Sequence, residues 1–397
     1  MAEKPRSRPF EGLTRDTGLL ALSSLFSDIS TEMLYPVLPL FLTQTLGAGG
    51  AAVGLIEGFA QATQNIAQGF SGALSDRLRR RKPIALAGYA LSALSKPLIG
   101  VSTSWAGVLG ARFMDRLGAG SRSAPRDALV AASAPAEHRG KAFGLEGAGD
   151  NAGAFIGPLI AVALIAVFAI DLRWIFYLAV IPGLIAFLLV TFVREMPVAA
   201  HAEATLDAAA TRLPGGYRRY LAATAIFGLG NSSNAFLILQ TRAMGASLQA
   251  TILIYAAFNL AAALVSYPAG HLSDRLGRRN LLLAGQLVFV ACYLGFGLSR
   301  RVAVVGAMFV LYGLFQGVFR AVGKALAADF APPALRAGAV GWYSATVGLS
   351  GLASSLVAGL VWDRAAHAAV FLIGAGLAAA GALALLLLVP QDPRRAA

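Results

Sequence analysis

Cysteine and charge are what this sequence has least of. A single cysteine, Cys292, stands among 397 residues, so no disulfide can close within the chain and a disulfide-stapled secreted scaffold is excluded. Charged residues make up 13% of the chain, against about 25% in an ordinary soluble domain. The histidines His138, His201, His271 and His367 are scattered, with no pair at ligand spacing, so no metal site is signalled. There is no Walker loop, which removes the usual support for ATP-driven work. No nucleophile–base arrangement can be read either, so an enzyme is not expected, and no cofactor is called for. The residues before Asp16 are polar and basic without an apolar core or cleavage site, so they do not read as a secretory signal.

What the chain does have is apolar sequence. The hydrophobic set makes up 57% and the mean hydropathy is +0.66, yet the net charge is +13. Disordered chains are poor in apolar residues, and soluble nucleic-acid binders carry basic charge on a polar surface. The combination fits an all-α polytopic membrane protein embedded in a lipid bilayer, its positive charge kept to the edges, with no nucleic-acid partner. A spanning helix needs about 20 mostly apolar residues. Twelve such segments are expected, at 17–43, 52–75, 84–102, 106–131, 141–170 and 173–193, then 219–243, 249–273, 281–299, 302–327, 339–362 and 367–390. A transmembrane barrel would instead show strands of about 10 residues with alternating hydrophobicity, and stretches such as 281–298 show none.

The basic residues set an orientation. Of the 33 Lys and Arg, only Arg173, Arg242, Arg300, Arg301 and Arg364 fall in odd-numbered loops. Most of the rest lie in the termini and even-numbered loops. The positive-inside rule then places both termini in the cytoplasm, in a bacterial inner membrane by expectation. Loops are short except near 194–218, which is Ala-rich and polar.

The chain also repeats itself. Residues 72–82 read GALSDRLRRRK and residues 270–280 read GHLSDRLGRRN. Eight of eleven positions agree at an offset of 198, half the chain length. A duplicated six-span unit follows: 1–198 as one six-helix bundle, 199–218 as a linker, and 219–397 as a second, pseudo-symmetric bundle. Arg122 and Arg126 match Arg320 and Lys324 at the same offset.

The Gly-x-Leu-x-Asp-Arg-x-Gly-x-Arg-Arg loop between spans two and three resembles the signature of the major facilitator superfamily, and the resemblance extends over essentially the whole chain. The second copy keeps its glycine at Gly277, whereas the first has Arg79 there, which weakens the usual tight turn. Three patches resemble the twelve-span drug/proton antiporter branch. They are Leu34-Tyr35-Pro36-Val37-Leu38-Pro39, Gly153-x-x-x-Gly157-Pro158, and Arg112-Phe113-Met114-Asp115-Arg116-Leu117-Gly118. In the last, Asp115 and Arg116 replace the usual Gln and Gly; in the second, Ala161 stands where a glycine is common. The resemblance implies a monomeric secondary transporter that moves a small molecule by alternating access, driven by the proton gradient, most readily as efflux. It also implies that Gly72, Asp76, Arg77, Gly270, Asp274, Arg275 and Gly277 latch the halves on the cytoplasmic side. Solvated loop charges are the plainer alternative for the acids. Gly153 and Gly157 permit close helix approach, and Pro158 would kink the fifth span.

Ionisable groups inside spans are functional candidates by default. The acids are Asp28, Glu32, Glu57, Asp115, Asp127, Glu146 and Asp150, all in the first half. Asp28 and Glu32 share a helix face near mid-membrane. Desolvation disfavours a charged carboxylate, so Asp28, Glu32, Glu57 and Asp150 are the candidate proton carriers. Permanent ion pairing with Arg112 or Arg116 is the structural alternative. Gln61 belongs to a polar stripe on the second span that reads either as cavity lining or as helix contact. Arg122, Arg126, Arg320 and Lys324 could form a basic clamp for an anionic solute, or pair with Asp127, Asp115 or lipid headgroups near the cytoplasmic end. Tyr35, Arg112, Asp115, Arg116, Asn231, Asn234, Tyr255, Asn259 and Gln316 complete the candidate substrate cavity. Phe227, Phe236, Phe258 and Phe315 interleave with the second-half polar residues, either as a stacking wall or as packing. Uptake of an anionic or metal-chelate solute, and metal-ion efflux, stay open beside proton-coupled efflux. A membrane sensor or scaffold without transport is the remaining class, and the chain shows no soluble domain for it.

Overall fold

The computed structural model describes residues 13–78, 80–135, 138–195, 214–331 and 336–391. The side chains of Ala73, Asp76, Tyr267, Asp274, Arg336 and Ala337 lie outside that description. Twelve membrane spans form two six-helix halves, and the described residues contain no strand. The first half comprises span 1 (Arg15–Leu34, continued by Leu38–Leu40 and a π turn Phe41–Thr45), span 2 (Gly50–Leu78), span 3 (Lys82–Val101), span 4 (Trp105–Ala132), span 5 (Arg139–Phe168) and span 6 (Leu172–Leu178 and Val180–Thr191). The second comprises span 7 (Gly215–Gly230 and Asn234–Ala243), span 8 (Leu248–Leu276), span 9 (Arg278–Leu298), span 10 (Val302–Asp329), span 11 (Arg336–Arg364) and span 12 (His367–Leu388). Span 7 begins at Gly215, inside the expected linker, whose residues 199–213 lie outside the described residues.

Nine of these spans are apolar enough to cross a membrane on composition alone. The three that are not, spans 1, 2 and 4, carry Asp28, Glu32, Glu57, Arg112, Asp115, Arg116, Arg122 and Arg126. Elsewhere the outer faces present exposed Phe168, Leu264, Leu298 and Leu387, the pattern of a protein whose solvent is hydrocarbon.

Prolines and small polar residues break both leading spans at equivalent places. Span 1 ends at Leu34, just before Tyr35-Pro36, because proline has no N–H to continue the ladder. Span 7 ends at Gly230 and restarts at Asn234, where the Ser233 hydroxyl accepts from the Ala235 N–H at 3.2 Å, an N-cap. Residues 35 and 233 are 198 apart, the repeat offset, and their hydroxyls meet at 3.5 Å. A contact between equivalent positions lies on the pseudo-twofold axis, so the two breaks mark the centre of the molecule. Pro158 does not interrupt span 5, which runs from Arg139 to Phe168.

Small residues set the packing inside the first half. A Cβ on Gly149, Gly153 or Gly157 would meet the Ala21, Leu25 or Ile29 carbonyl of span 1, so the span 5 backbone lies directly on span 1. Gly147 is different and faces open space. The second half is filled with rings. Phe227, Phe258, Phe289, Tyr293, Tyr312 and Phe315 are buried and mutually in contact, as offset and edge-on aromatic pairs prefer. Phe227, Phe258 and Phe315 are therefore core, and Phe236 is buried against Trp362; none forms a substrate wall. The turn between spans 8 and 9 uses Gly277 at φ +87°, a conformation open to glycine. Its counterpart Arg79 lies outside the described residues.

The halves touch chiefly on the side opposite the termini, where span 2 lies along span 11. The Asp363 carboxylate of span 11 accepts from the Gly50 and Ala51 N–H groups at 2.6 and 2.8 Å, capping span 2 where its donors are unpaired. Further along, any side chain at Gly54 would collide with the Ser355 carbonyl, and one at Gly58 would press on Leu352 at 3.0 Å. The last contact is Asn65 Nδ2 to the Ser344 carbonyl at 3.5 Å. From Gly50 to Asn65 the seam is about 22 Å long. Beyond it the halves diverge: Gly69, Gly140, Gly144, Gly270 and Gly341 have nothing near a would-be Cβ. The molecule is closed on the far side and open towards the termini.

Filling the seam should reverse that bias. Gly54→Leu is expected to part spans 2 and 11 on the far side. Spin labels at Gly69→Cys and Gly341→Cys, exposed across the open mouth, should then move closer in a pulsed dipolar measurement. An unchanged distance distribution would count against the seam as the far-side closure.

Candidate functional site: the cleft between the halves

Span 1 supplies one continuous stripe, Ser24, Asp28, Glu32 and Tyr35, at helical spacing. Each member touches a different neighbour. The Ser24 hydroxyl donates to Glu146 Oε1 at 2.7 Å and accepts from Arg126 at 3.2 Å. Asp28 is half-buried; its carboxyl lies within hydrogen-bonding reach of Asp150 and feels Glu32 and Arg122. Glu32 crosses to the other half. Its Oε2 accepts from the Tyr255 hydroxyl at 2.8 Å and from Asn259 Nδ2 at 3.4 Å. Asn259 also donates to the Ala154 carbonyl at 2.9 Å, joining span 8 to span 5. Tyr35 stacks on Tyr255 with centroids 5.4 Å apart at 17°. Glu32, Tyr35, Tyr255 and Asn259, all expected at the site, are thus brought together where span 1 meets span 8.

The close approach of span 5 to span 1 is what delivers Asp150. Gly149 and Gly153 flank it and let the backbones touch, so the Asp150 carboxyl arrives beside Asp28. Asp150 is also 4.0 Å from Arg126, which pairs with Glu146 at 3.1 Å and Asp127 at 3.0 Å. The Asp28, Glu32 and Asp150 side chains remain partly accessible from the open mouth. Gln61 is exposed and donates to Asn65 at 3.3 Å, at the point where the seam gives way to the cleft; this fits the cavity-lining reading of its stripe.

A second cluster is sealed. Arg112 is 1% exposed and bonds Glu57 at 3.2 Å and Asp115 at 2.9 Å. Asp115, fully buried, also takes Arg116 at 2.7 Å and the Ser92 hydroxyl at 2.7 Å. Arg116 reaches Gln64 at 3.1 Å. Every strong charge here has a partner of opposite sign, as burial requires. Glu57 therefore sits in an internal ion pair away from the cleft, and Arg112, Asp115 and Arg116 brace spans 2, 3 and 4 instead of lining a cavity. Arg112 still reaches the site indirectly, over the Tyr35 ring at 5.7 Å. Lys96, an in-span base of the third span, is buried at 1% and donates to the Ser30 hydroxyl, which donates on to the Ala179 carbonyl at 2.5 Å. Its place in an otherwise apolar span is what marks it in the sequence.

In the second half, the Tyr312 hydroxyl lies 3.2 and 3.1 Å from the Asn231 and Asn234 side-chain oxygens at the break in span 7. Gln316, Arg320 and Lys324 follow Tyr312 at four-residue steps. Exposure rises along that stripe from buried Tyr312, through half-buried Gln316, to exposed Arg320 and Lys324. Of the two readings of these four cations, the symmetric clamp does not form. Arg122 is buried over the Tyr89 ring at 4.8 Å and Arg126 is held by acids, while Arg320 and Lys324 face open space. Of the candidate latch, Arg77 and Arg275 are exposed, Gly72 faces Ala124 at 3.3 Å and Gly270 nothing; the Asp76 and Asp274 side chains lie outside the described residues. Among the described residues no group of His, Cys, Asp and Glu is placed to hold a metal.

Chains of this architecture are known. The model of the Major Facilitator Superfamily matches residues 20–222 and again 220–397. An uncharacterized MFS-type transporter of Methanocaldococcus jannaschii is 32% identical over 382 residues, 94% of this chain and 95% of that one. A protein of Cupriavidus pinatubonensis described as a probable 4-methylmuconolactone transporter is 28% identical over 335 residues, 80% of this chain and 76% of that one. Among solved structures, a point mutant of the nucleoside transporter NupG superposes with a TM-score of 0.81 at 15% identity, covering 95% of this chain and 100% of that one; this likeness is one of fold.

The sealed cluster makes a stability prediction. Arg112→Met leaves Glu57 without a partner and removes one of two arginines from Asp115, which should destabilise the protein by about 3–5 kcal/mol. Thermal unfolding in detergent checks it; a melting temperature equal to that of the native protein would remove the bracing role.

Proposed function

Since the chain belongs to the major facilitator superfamily, we propose that it is a proton-coupled secondary transporter that carries a small molecule through the cleft between its halves. It is a transporter, not an enzyme, and a multi-pass membrane protein. The finer reading rests on one observation above all: the accessible acids Asp28, Glu32 and Asp150 lie at the open mouth, and one of them, Glu32, also ties the halves together through Tyr255 and Asn259.

Span 5 packs on span 1 beside Asp28, where a Cβ at Gly153 would meet the Asp28 Cβ at 2.8 Å, and Glu32 lies one turn along the same face. Asp28 is close enough to Glu32 for the charge of one to act on the other. A proton arriving from the cleft therefore changes the charge around the carboxylate on which the cross-half hydrogen bonds converge. Protonated Glu32 offers a weaker acceptor to Tyr255, since a hydrogen bond to a charged group is the stronger kind, and the halves are freer to part. Proton occupancy and the rocking of the halves are linked through the same few atoms. The superfamily's alternating access is a general expectation; the assignment of these acids is specific to this chain.

Export in exchange for protons is the favoured direction, on the resemblance of Leu34–Pro39 and Gly153–Pro158 to the antiporter branch. The terminal side is then the cytoplasm, in keeping with its excess of Lys and Arg, and the open mouth loads substrate from within. A monomer carries all twelve spans and both walls of the cleft. Its surroundings are lipid, a small-molecule substrate and protons.

In proteoliposomes, substrate-driven proton counterflow should be present in the native protein and abolished by Asp28→Asn combined with Glu32→Gln. Tyr255→Phe, which removes one cross-half donor, should lower the rate without abolishing coupling. Undiminished counterflow in the double variant would refute the assignment.

A further inference from the structure

The two halves descend from one repeat, yet they treat the same pair of cations in opposite ways. In the first half Arg122 and Arg126 are surrounded by Tyr89, Asp28, Asp127, Glu146 and Asp150. Moving each partner by the repeat offset of 198 gives Leu287, Ile226, Ala325, Ser344 and Gly348. The cations are kept, as Arg320 and Lys324, while every carboxylate is replaced by a neutral residue. Spans 7 and 10 hold no acid near them: span 7 has none at all, and Asp329 at the end of span 10 is bonded to Arg278 at 2.7 Å. The acid of span 11, Asp363, caps span 2 on the far side. Both cations are exposed and neither has a hydrogen-bond or ion-pair partner among the described residues.

Two like charges four residues apart on one helix face repel one another, and an anion set between them relieves that cost. The pair lies one and two turns beyond Gln316 on the stripe that starts at Tyr312, at the exposed end of that stripe. The small residues Ser344 and Gly348 stand where the first half has its acids, and the neutral Asn65 amide of span 2 packs against both, so no carboxylate of either half takes those places. We propose that Arg320 and Lys324 form an anion subsite and that the transported molecule carries a carboxylate or phosphate that takes the place of the missing acids. Arg320 supplies the planar fork suited to such a group, and Lys324 a second point charge. This rests on the reading of the cleft as the substrate path, but not on proton coupling or on direction.

The test is ligand-induced thermal stabilisation of the purified chain in a neutral detergent at fixed ionic strength, with benzoate, phenyl phosphate and the uncharged benzamide as probes. Benzoate or phenyl phosphate should raise the melting temperature by about 2 °C or more, because a ligand that binds only the folded state stabilises it. Benzamide should not. Arg320→Gln should remove the rise, Arg320→Lys should restore part of it, and Lys324→Gln, at an exposed position, should reduce it in a protein that folds normally. The proposal is overturned if neither anion stabilises the native protein, or if benzamide does so equally. It is also overturned if the rise survives in both Gln variants, or if only phosphatidylglycerol added to the micelles gives an Arg320-dependent rise. Anion binding that persists in the Asp28→Asn, Glu32→Gln protein, with counterflow lost, separates this subsite from the coupling acids.

Discussion

An ionised group in hydrocarbon must find a partner, and the architecture of the first half follows from that single constraint. Spans 1, 2 and 4 are too polar to cross a membrane on composition alone, and they do so by turning their charges inward. Arg112, Asp115, Arg116 and Glu57 satisfy one another in a closed network. A buried network of this kind is a poor source of net stability but fixes geometry. It holds spans 2, 3 and 4 in one arrangement and supports Tyr35 from beneath. The charges left over, Asp28, Glu32 and Asp150, sit where the cleft admits water. Pairing therefore divides the seven first-half acids into those that build and those that remain available for exchange.

The second half, with the same ancestry, solves its packing with rings. Phe227, Phe289, Tyr293, Tyr312 and Phe315 fill the interior, and buried polar groups are mostly neutral hydroxyls and amides. A rigid aromatic core against an ionic one gives the two halves different work. One carries titratable groups; the other offers a firm wall with Tyr255, Asn259, Gln316, Arg320 and Lys324. They meet at the pseudo-axis, where Tyr35 and Ser233 touch, and along the glycine seam of spans 2 and 11. Along the seam Gly54 and Gly359 bring the backbones of spans 2 and 11 together, while Trp362, Leu352 and Asn65 fill the glycine gaps of the facing span. The Asp363 cap adds a polar fastening that water can replace when the far side opens.

Much of this was legible in the chain itself. Spacing alone put Asp28 and Glu32 on one face, the repeat offset paired Arg122 with Arg320, and the one-sided distribution of acids pointed to the first half. The broken first span was signalled by Pro36. What sequence could not separate was a paired charge from an available one. Glu57 and Asp150 look alike in apolar context, yet one is locked to Arg112 and the other lies at the mouth, because that difference depends on which spans pack together. The phenylalanines of spans 7, 8 and 10 read equally as wall or core until their neighbours were known. Lys96 stood out as a base within a span and Asp363 did not, and neither partner could be read: the Ser30 hydroxyl and the N-terminus of span 2 are distant in the chain and carry no recognisable motif.

Proton uptake and release, on the function proposed, belong to the acids at the mouth of the cleft and not to those in the sealed network. Infrared difference spectroscopy of the purified protein across a neutral pH range reads this directly, through the carbonyl stretch of protonated carboxylic acids. The expected result is a titrating acid band that diminishes in Asp28→Asn and again in Glu32→Gln and is left in place by Glu57→Gln. A band that persists when Asp28 and Glu32 are both replaced, or one that vanishes with Glu57, would contradict it.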